Sequence, residues 1–176
     1  MDTLKSIAFV LMIPLLATAA LLLIAGGGDG VFEEKGIARV DQPKDLVFEW
    51  LSEPQHRTKW VHELTSSKTA SRSVEKGSKL AEVVGYGSKS SKVEVEVLEA
   101  EYGELLALRL TEPGRVVEIR YQLSPHQSAR RTRIDVTTSG KLDGWWRKLL
   151  EPILAGRITE RVDEDLVRLG EAIRGA

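Results

Sequence analysis

The chain opens on an unbroken apolar run. From Ile7 to Ala25 it reads IAFVLMIPLLATAALLLIA, without a charged residue. As a helix this run is roughly 28 Å long at 1.5 Å per residue, close to the thickness of a bilayer's hydrocarbon core. Pro14 is tolerable there, because neighbouring groups can satisfy the freed backbone. Residues 1–25 therefore read as a transmembrane anchor, with a secretory signal as the competing reading. Signal cores run about 7–15 residues before a small-residue cleavage site. Here Ala17-Thr18-Ala19 falls in the middle of the run, and cleavage after Ala25 would put Leu23 where a small residue is preferred. Lys5 ahead of the span favours a cytoplasmic N-terminus with the domain outside. Residues 26–31, beginning Gly26-Gly27-Gly28-Asp29-Gly30, form a linker too glycine-rich to continue a helix.

Residues 32–176 are patterned differently. Ile37 to Val40 predicts a short strand, closed by Asp41-Gln42-Pro43. Proline suits a first helical turn, and Leu46, Val47, Trp50 and Leu51 then recur at helical spacing. Pro54 starts a second short helix that runs towards Trp60. From about Glu63 the period becomes two. Lys79 to Tyr86 is strand-like between Gly77 and Gly87, and Val93, Val95 and Val97 alternate with glutamates. The same alternation holds for Leu106, Leu108 and Leu110, for Val117, Ile119, Tyr121 and Leu123, and for Ile134 and Val136. Glu112-Pro113-Gly114 reads as a hairpin turn. From Leu142 through Trp145, Trp146, Leu149, Leu150, Ile153 and Leu154 to Ile173, apolar residues step by three and four. That predicts one long helix, kinked near Pro152. The class is α+β: two short helices after strand 1, then an antiparallel sheet of about six to seven strands curled on a long C-terminal helix. Such a sheet leaves room for an apolar ligand between its layers.

Composition narrows what this fold can do. With 25 basic against 26 acidic residues the net charge is −1, so no broad field recruits nucleic acid. The absence of cysteine removes disulfides, thiol nucleophiles and thiolate zinc sites. Three histidines, with His56 and His62 lacking a second pair at ligand spacing, predict no metal site. No cofactor is implied either.

The ordered features Pro43-x-x-x-Val47-Phe48-x-Trp50-Leu51, Trp60, Gly77-x-x-Leu80, Val93–Leu98, Val117-x-Ile119-x-Tyr121-x-Leu123-x-Pro125, Thr132, Gly140, Leu149-x-x-Pro152 and Asp165-Leu166-x-x-Leu169 run from Phe32 to Ile173. In that order they resemble the START-like, or SRPBCC, helix-grip superfamily, in particular its polyketide cyclase/dehydrase and lipid-transport branch. The resemblance implies a helix-grip fold around a hydrophobic cavity, with sterols, lipids, polyketides or hormones as ligands of characterised relatives. It transfers no catalytic residue set. The expected function is membrane-tethered binding or transport of a lipid-like or polyketide-like molecule. The alternatives are a protein-interaction module at the membrane and a cyclase/dehydratase-type enzyme. Expected ligand-binding residues are Trp50, Trp60, Tyr86, Leu108, Tyr121, Trp146 and Leu150.

Among candidates for chemistry, His62 beside Glu63 could serve as a base and acid pair, against the plainer reading of a polar loop. Tyr86 and Tyr121 could offer a phenolic hydrogen bond to a ligand carbonyl. Arg109 and Glu118 would hold a polar head group only if they pointed inward, and the alternation puts them on the outer face.

Overall fold

The computed structural model describes residues 31–70, 74–144 and 151–176. Ten elements follow in order: β1 (Val31–Val40), α1 (Lys44–Ser52), α2 (Pro54–Trp60), β2 (Leu64–Thr69), β3 (Lys79–Tyr86), β4 (Lys89–Glu101), β5 (Leu105–Glu112), β6 (Arg115–His126), β7 (Ser128–Leu142) and α3 (Glu151–Arg174). The strands form one sheet in the order β1-β7-β6-β5-β4-β3-β2, antiparallel throughout. Two short helices after strand 1 and six strands before a C-terminal helix are as the alternation predicted.

Strands β4 and β6 send alternate side chains to one dry face, and Leu106 and Leu108 of β5 continue it. Val93, Val95 and Val97 of β4, Leu106 and Leu108 of β5, and Val117, Ile119, Tyr121 and Leu123 of β6 are all buried. Opposite them α3 presents Val162, Leu166, Leu169 and Ile173, also buried. The outer face carries charges in register: Arg109 donates to Glu118 at 2.8 Å and to Glu96 at 3.3 Å, and Arg120 pairs with Glu99. Arg109 and Glu118 are thus outward, as expected. Register shifts at Leu64/Ser66, Val97/Glu99 and Pro125/His126 add the local twist that lets the sheet curl.

Two expectations are corrected. β1 starts at Val31, not Ile37, because its whole length pairs with β7 from Val31↔Lys141 to Val40↔Thr132. Leu142 is not the head of the long helix but the last residue of β7, where it pairs with Arg115 and is 1% exposed. Its inward side follows Thr138 and Gly140 at the strand period, and Gly144 then turns the chain at φ 90. Residues 1–30, which hold the anchor and most of the linker, and residues 145–150 lie outside the described residues. Among the described residues no helix is long and apolar enough to cross a membrane.

Gly140 is a point of close approach. A Cβ there would stand 2.7 Å from the Phe32 ring and 2.8 Å from the Val116 carbonyl oxygen. The ring can rotate, but the backbone oxygen of a central strand cannot step aside. Gly140→Ala is expected to lower stability by roughly 1–3 kcal/mol, seen as a drop in the urea midpoint at unchanged slope. An unchanged midpoint would show that β1 gives way freely.

Candidate ligand-binding cavity

The site begins in α2. Pro54 takes its first position, where the missing N–H costs nothing, and Arg57 and Trp60 follow on one face one turn apart. Both are buried. The Trp60 indole N–H donates to the Trp50 carbonyl at 2.8 Å, fixing α2 on α1. The Arg57 guanidinium lies 5.7 Å over the Trp60 ring. It donates to Leu51 O at 3.2 Å, and to Glu82 Oε1 and Oε2 at 2.7 and 3.3 Å. Glu82 sits on the inward side of β3 between Leu80 and Val84, is 2% exposed, and also accepts from Ser67 Oγ at 3.0 Å. A buried ion pair therefore pins α2 to the β2–β3 side of the sheet.

Beside this pair lies a cavity of about 510 Å³ between the sheet and α3. Val84, Val93, Leu110, Val117 and Ile119 line its sheet side, and Leu154, Ile158 and Val162 its helix side. It is long. On β6 the lining runs from Arg115 to Tyr121, roughly 20 Å at ~3.3 Å per residue. On α3 it runs from Leu154 to Asp165, roughly 16 Å at 1.5 Å per residue.

The two ends differ. At the end walled by α2, the more closed of the two, Arg57, Trp60, Glu82, Tyr121 and Asp165 are all buried, with Val61, His62 and Arg161 half-buried beside them. Tyr121 is 3% exposed, and its hydroxyl has no hydrogen bond to any described residue. Burial pushes the phenol far above its ordinary pKa, against the opposing pull of Arg57. It is a neutral donor at every physiological pH. Asp165 Oδ1 accepts from the His62 backbone N–H at 2.6 Å. Burial pushes its carboxyl up to about 6, although the His62 N–H and the Arg161 charge pull the other way. Arg161 continues the clasp, donating to Glu63 Oε2 at 2.7 Å and to His62 O at 3.3 Å. Glu63 itself sits in the left-handed region at φ 58. At the other end only Pro113 and Arg157 are exposed among the described lining residues, and Arg115 is held by Glu112 at 2.7 Å.

Of the residues expected to meet a ligand, Trp60 and Tyr121 line the cavity. Trp50 and Leu108 are instead packed into the filled core: Trp50 stacks on His56 at a centroid distance of 4.5 Å, and Leu108 is 2% exposed. Tyr86 belongs to β3, but its side chain falls outside the described ones, as do Trp146 and Leu150. His62 lines the cavity with a buried Nδ1 that has no partner among the described residues. Glu63 does not line the cavity: it pairs with Arg161 at 2.7 Å and stands 3.8 Å from His62 Nε2. Arg57, Glu82 and Asp165 were not expected there. Among the described residues no group of three metal-ligating side chains converges.

Comparisons with known proteins place the fold. The sequence model of a family described as polyketide cyclase / dehydrase and lipid transport matches residues 37–174. Among solved structures, Ara h 8.0201 superposes with a TM-score of 0.70 at 10% identity, over 84% of this chain and 100% of that one. The protein TTHA0849 from Thermus thermophilus gives 0.68 at 16% identity, over 82% and 98%. The Zhui aromatase/cyclase from Streptomyces sp. R1128 gives 0.65 at 16% identity, over 82% and 94%. Identities this low speak for the fold alone. Comparison with curated protein sequences gives no match.

Proposed function

The chain belongs to the polyketide cyclase / dehydrase and lipid transport family, and from that premise we propose that it binds an elongated hydrophobic molecule in the cavity while residues 7–25 hold it at a membrane. The observation that carries this reading is the cavity itself: about 510 Å³, walled largely by aliphatic side chains, with the Tyr121 hydroxyl at its closed end and no hydrogen bond to it among the described residues. That is the pattern of a small-molecule site, in which apolar walls supply affinity and a few polar groups set orientation. A ligand that leaves water here gains about 25 cal/mol per Å² of apolar surface before the cost of ordering it. A carbonyl, hydroxyl or ether oxygen reaching Tyr121 completes its hydrogen bond.

Two probes test this. N-phenyl-1-naphthylamine is a largely apolar diarylamine without a carbonyl, and 6-propionyl-2-dimethylaminonaphthalene carries a ketone. Both are expected to brighten on binding, and Leu154→Trp, which fills the cavity from α3, is expected to abolish both signals without lowering Tm. Tyr121→Phe is expected to weaken the ketone probe about 3–10-fold, one net hydrogen bond, and to leave the amine probe and the fold unchanged. Binding indifferent to Leu154→Trp would put the probes elsewhere and defeat the proposal.

A second reading, a cyclase- or dehydratase-type enzyme, draws support from Asp165. A carboxyl that titrates at about 6 in the cavity wall, near the neutral Tyr121 hydroxyl, is suited to exchange a proton with a bound substrate. On this reading Asp165→Asn loses turnover and keeps probe binding.

A further inference from the structure

We propose that the open end of the cavity faces the lipid surface, so that the ligand passes between bilayer and cavity without crossing bulk water. This rests on the reading of the chain as a membrane-tethered binder and adds its orientation. Strand register carries the argument. The described chain begins at Val31, which pairs with Lys141 of β7; Lys141 pairs in turn with Val116 of β6, and Leu142 with Arg115. The point where the chain enters the domain, the end of β7 and the β5–β6 turn therefore share one end of the sheet. Of the exposed lining residues, Pro113 belongs to that turn, and Arg157 lies in the first two turns of α3, the element that follows β7.

Tether length decides between the two orientations. Residues 26–30 fully extended reach at most ~18 Å. From Arg115 to His126 strand β6 is roughly 36 Å long. With Ala25 at the membrane boundary, the β6–β7 end cannot be brought to the bilayer, because that would lift Val31 beyond the tether's reach.

The surface chemistry of the open end suits the partner. Ile153 is 56% exposed and Val31 is 54% exposed. At this end of the sheet Lys89, at the β3–β4 turn, and Lys141 are exposed cations, as is Arg157 of α3, with Asp143 and Glu33 exposed acids. Exposed apolar side chains together with lysine and arginine at one end match an interface of acyl chains and anionic head groups.

The chain has no cysteine, so single labels can be placed cleanly. Full-length Ile153→Cys, Lys89→Cys and Ala129→Cys would each carry an environment-sensitive nitrobenzoxadiazole label, in vesicles of phosphatidylcholine and phosphatidylglycerol. All three positions are exposed. A nitroxide on the lipid head group is expected to quench most of the Ile153 and Lys89 signals and to leave Ala129, at the far end, unchanged. Vesicle-bound protein with Ile153 and Lys89 unquenched, or with Ala129 quenched equally, overturns the orientation alone. A chain that does not float with vesicles overturns the tether as well, while cavity binding of the two probes stands or falls separately.

Discussion

Glu82→Ala is expected to cost about 3–5 kcal/mol of stability, the largest effect of any substitution considered for this protein. The reason is what the change leaves behind. Arg57 is 3% exposed, wedged against Trp60, and two of its donors are satisfied by Glu82. Without that carboxylate a guanidinium stays in the protein interior with no counter-charge, and α2 loses its fastening to β3. Arg57→Met with Glu82→Leu together should recover most of the loss, since replacing a buried pair with apolar groups of similar volume is often neutral or stabilising. A chemical denaturation series on the two single variants and the double variant reads this directly. Equal, small effects for all three would mean that the pair is hydrated and contributes little.

The double variant also separates stability from function. Arg57 and Glu82 both line the cavity, and Arg57 acts on Tyr121. A well-folded double variant that binds the apolar probe normally and the ketone probe weakly would show that the pair sets the polarity of the closed end. Equal binding of both would make it a fastening only.

Asp165→Asn is expected to stabilise the protein at pH 8 by on the order of 3 kcal/mol and to change nothing near pH 3.5. The sign follows from the direction of the shift. Burial raises this carboxyl from its ordinary 3.8 to about 6, so the folded state holds the proton more tightly than the unfolded chain does. The favourable contribution is complete below 3.8 and is lost as the pH climbs through 6. Asparagine keeps an oxygen for the His62 N–H and never charges. His62, Arg161, Arg168, Arg57 and Tyr121 are the titratable or charged groups around Asp165, and their charges are common to both proteins. Glu99 and Asp135, lowered by Arg120 and Arg133, lose stability as pH falls, but they too are common to both. The difference between the two denaturation curves across pH 3.5–8 therefore isolates Asp165. A difference that does not vary with pH would place its carboxyl in water.

Much of the architecture can be read from period alone. Val93/Val95/Val97 and Val117/Ile119/Tyr121/Leu123 put their residues on the dry face because alternation leaves no other arrangement. The same period puts Arg109 and Glu118 outside and Tyr121 inside. It misled at Leu142, which satisfies both the helical step to Trp145 and the strand step from Gly140; only pairing with Arg115 decides. The closed end of the cavity was harder to see. Around Glu82 both alternating sets are largely apolar, Leu80 and Val84 against Ala81 and Val83, so the strand's face is undecided without its neighbours. Its partner Arg57 lies 25 residues away on a short helix among polar residues. Asp165 sits in Asp163-Glu164-Asp165, which resembles a solvated face, yet it stands three residues after the buried Val162 and beside the buried Leu166. That step was the available sign that one acid of the three turns inward.

The most direct test of the central claim is native mass spectrometry with lipid extraction on the full-length protein purified from membranes. The expected result is a reproducible apolar molecule retained by the wild-type chain and absent from a folded Leu154→Trp variant. A wild-type chain that is empty in every preparation, or a Leu154→Trp variant that retains the same molecule, would contradict it.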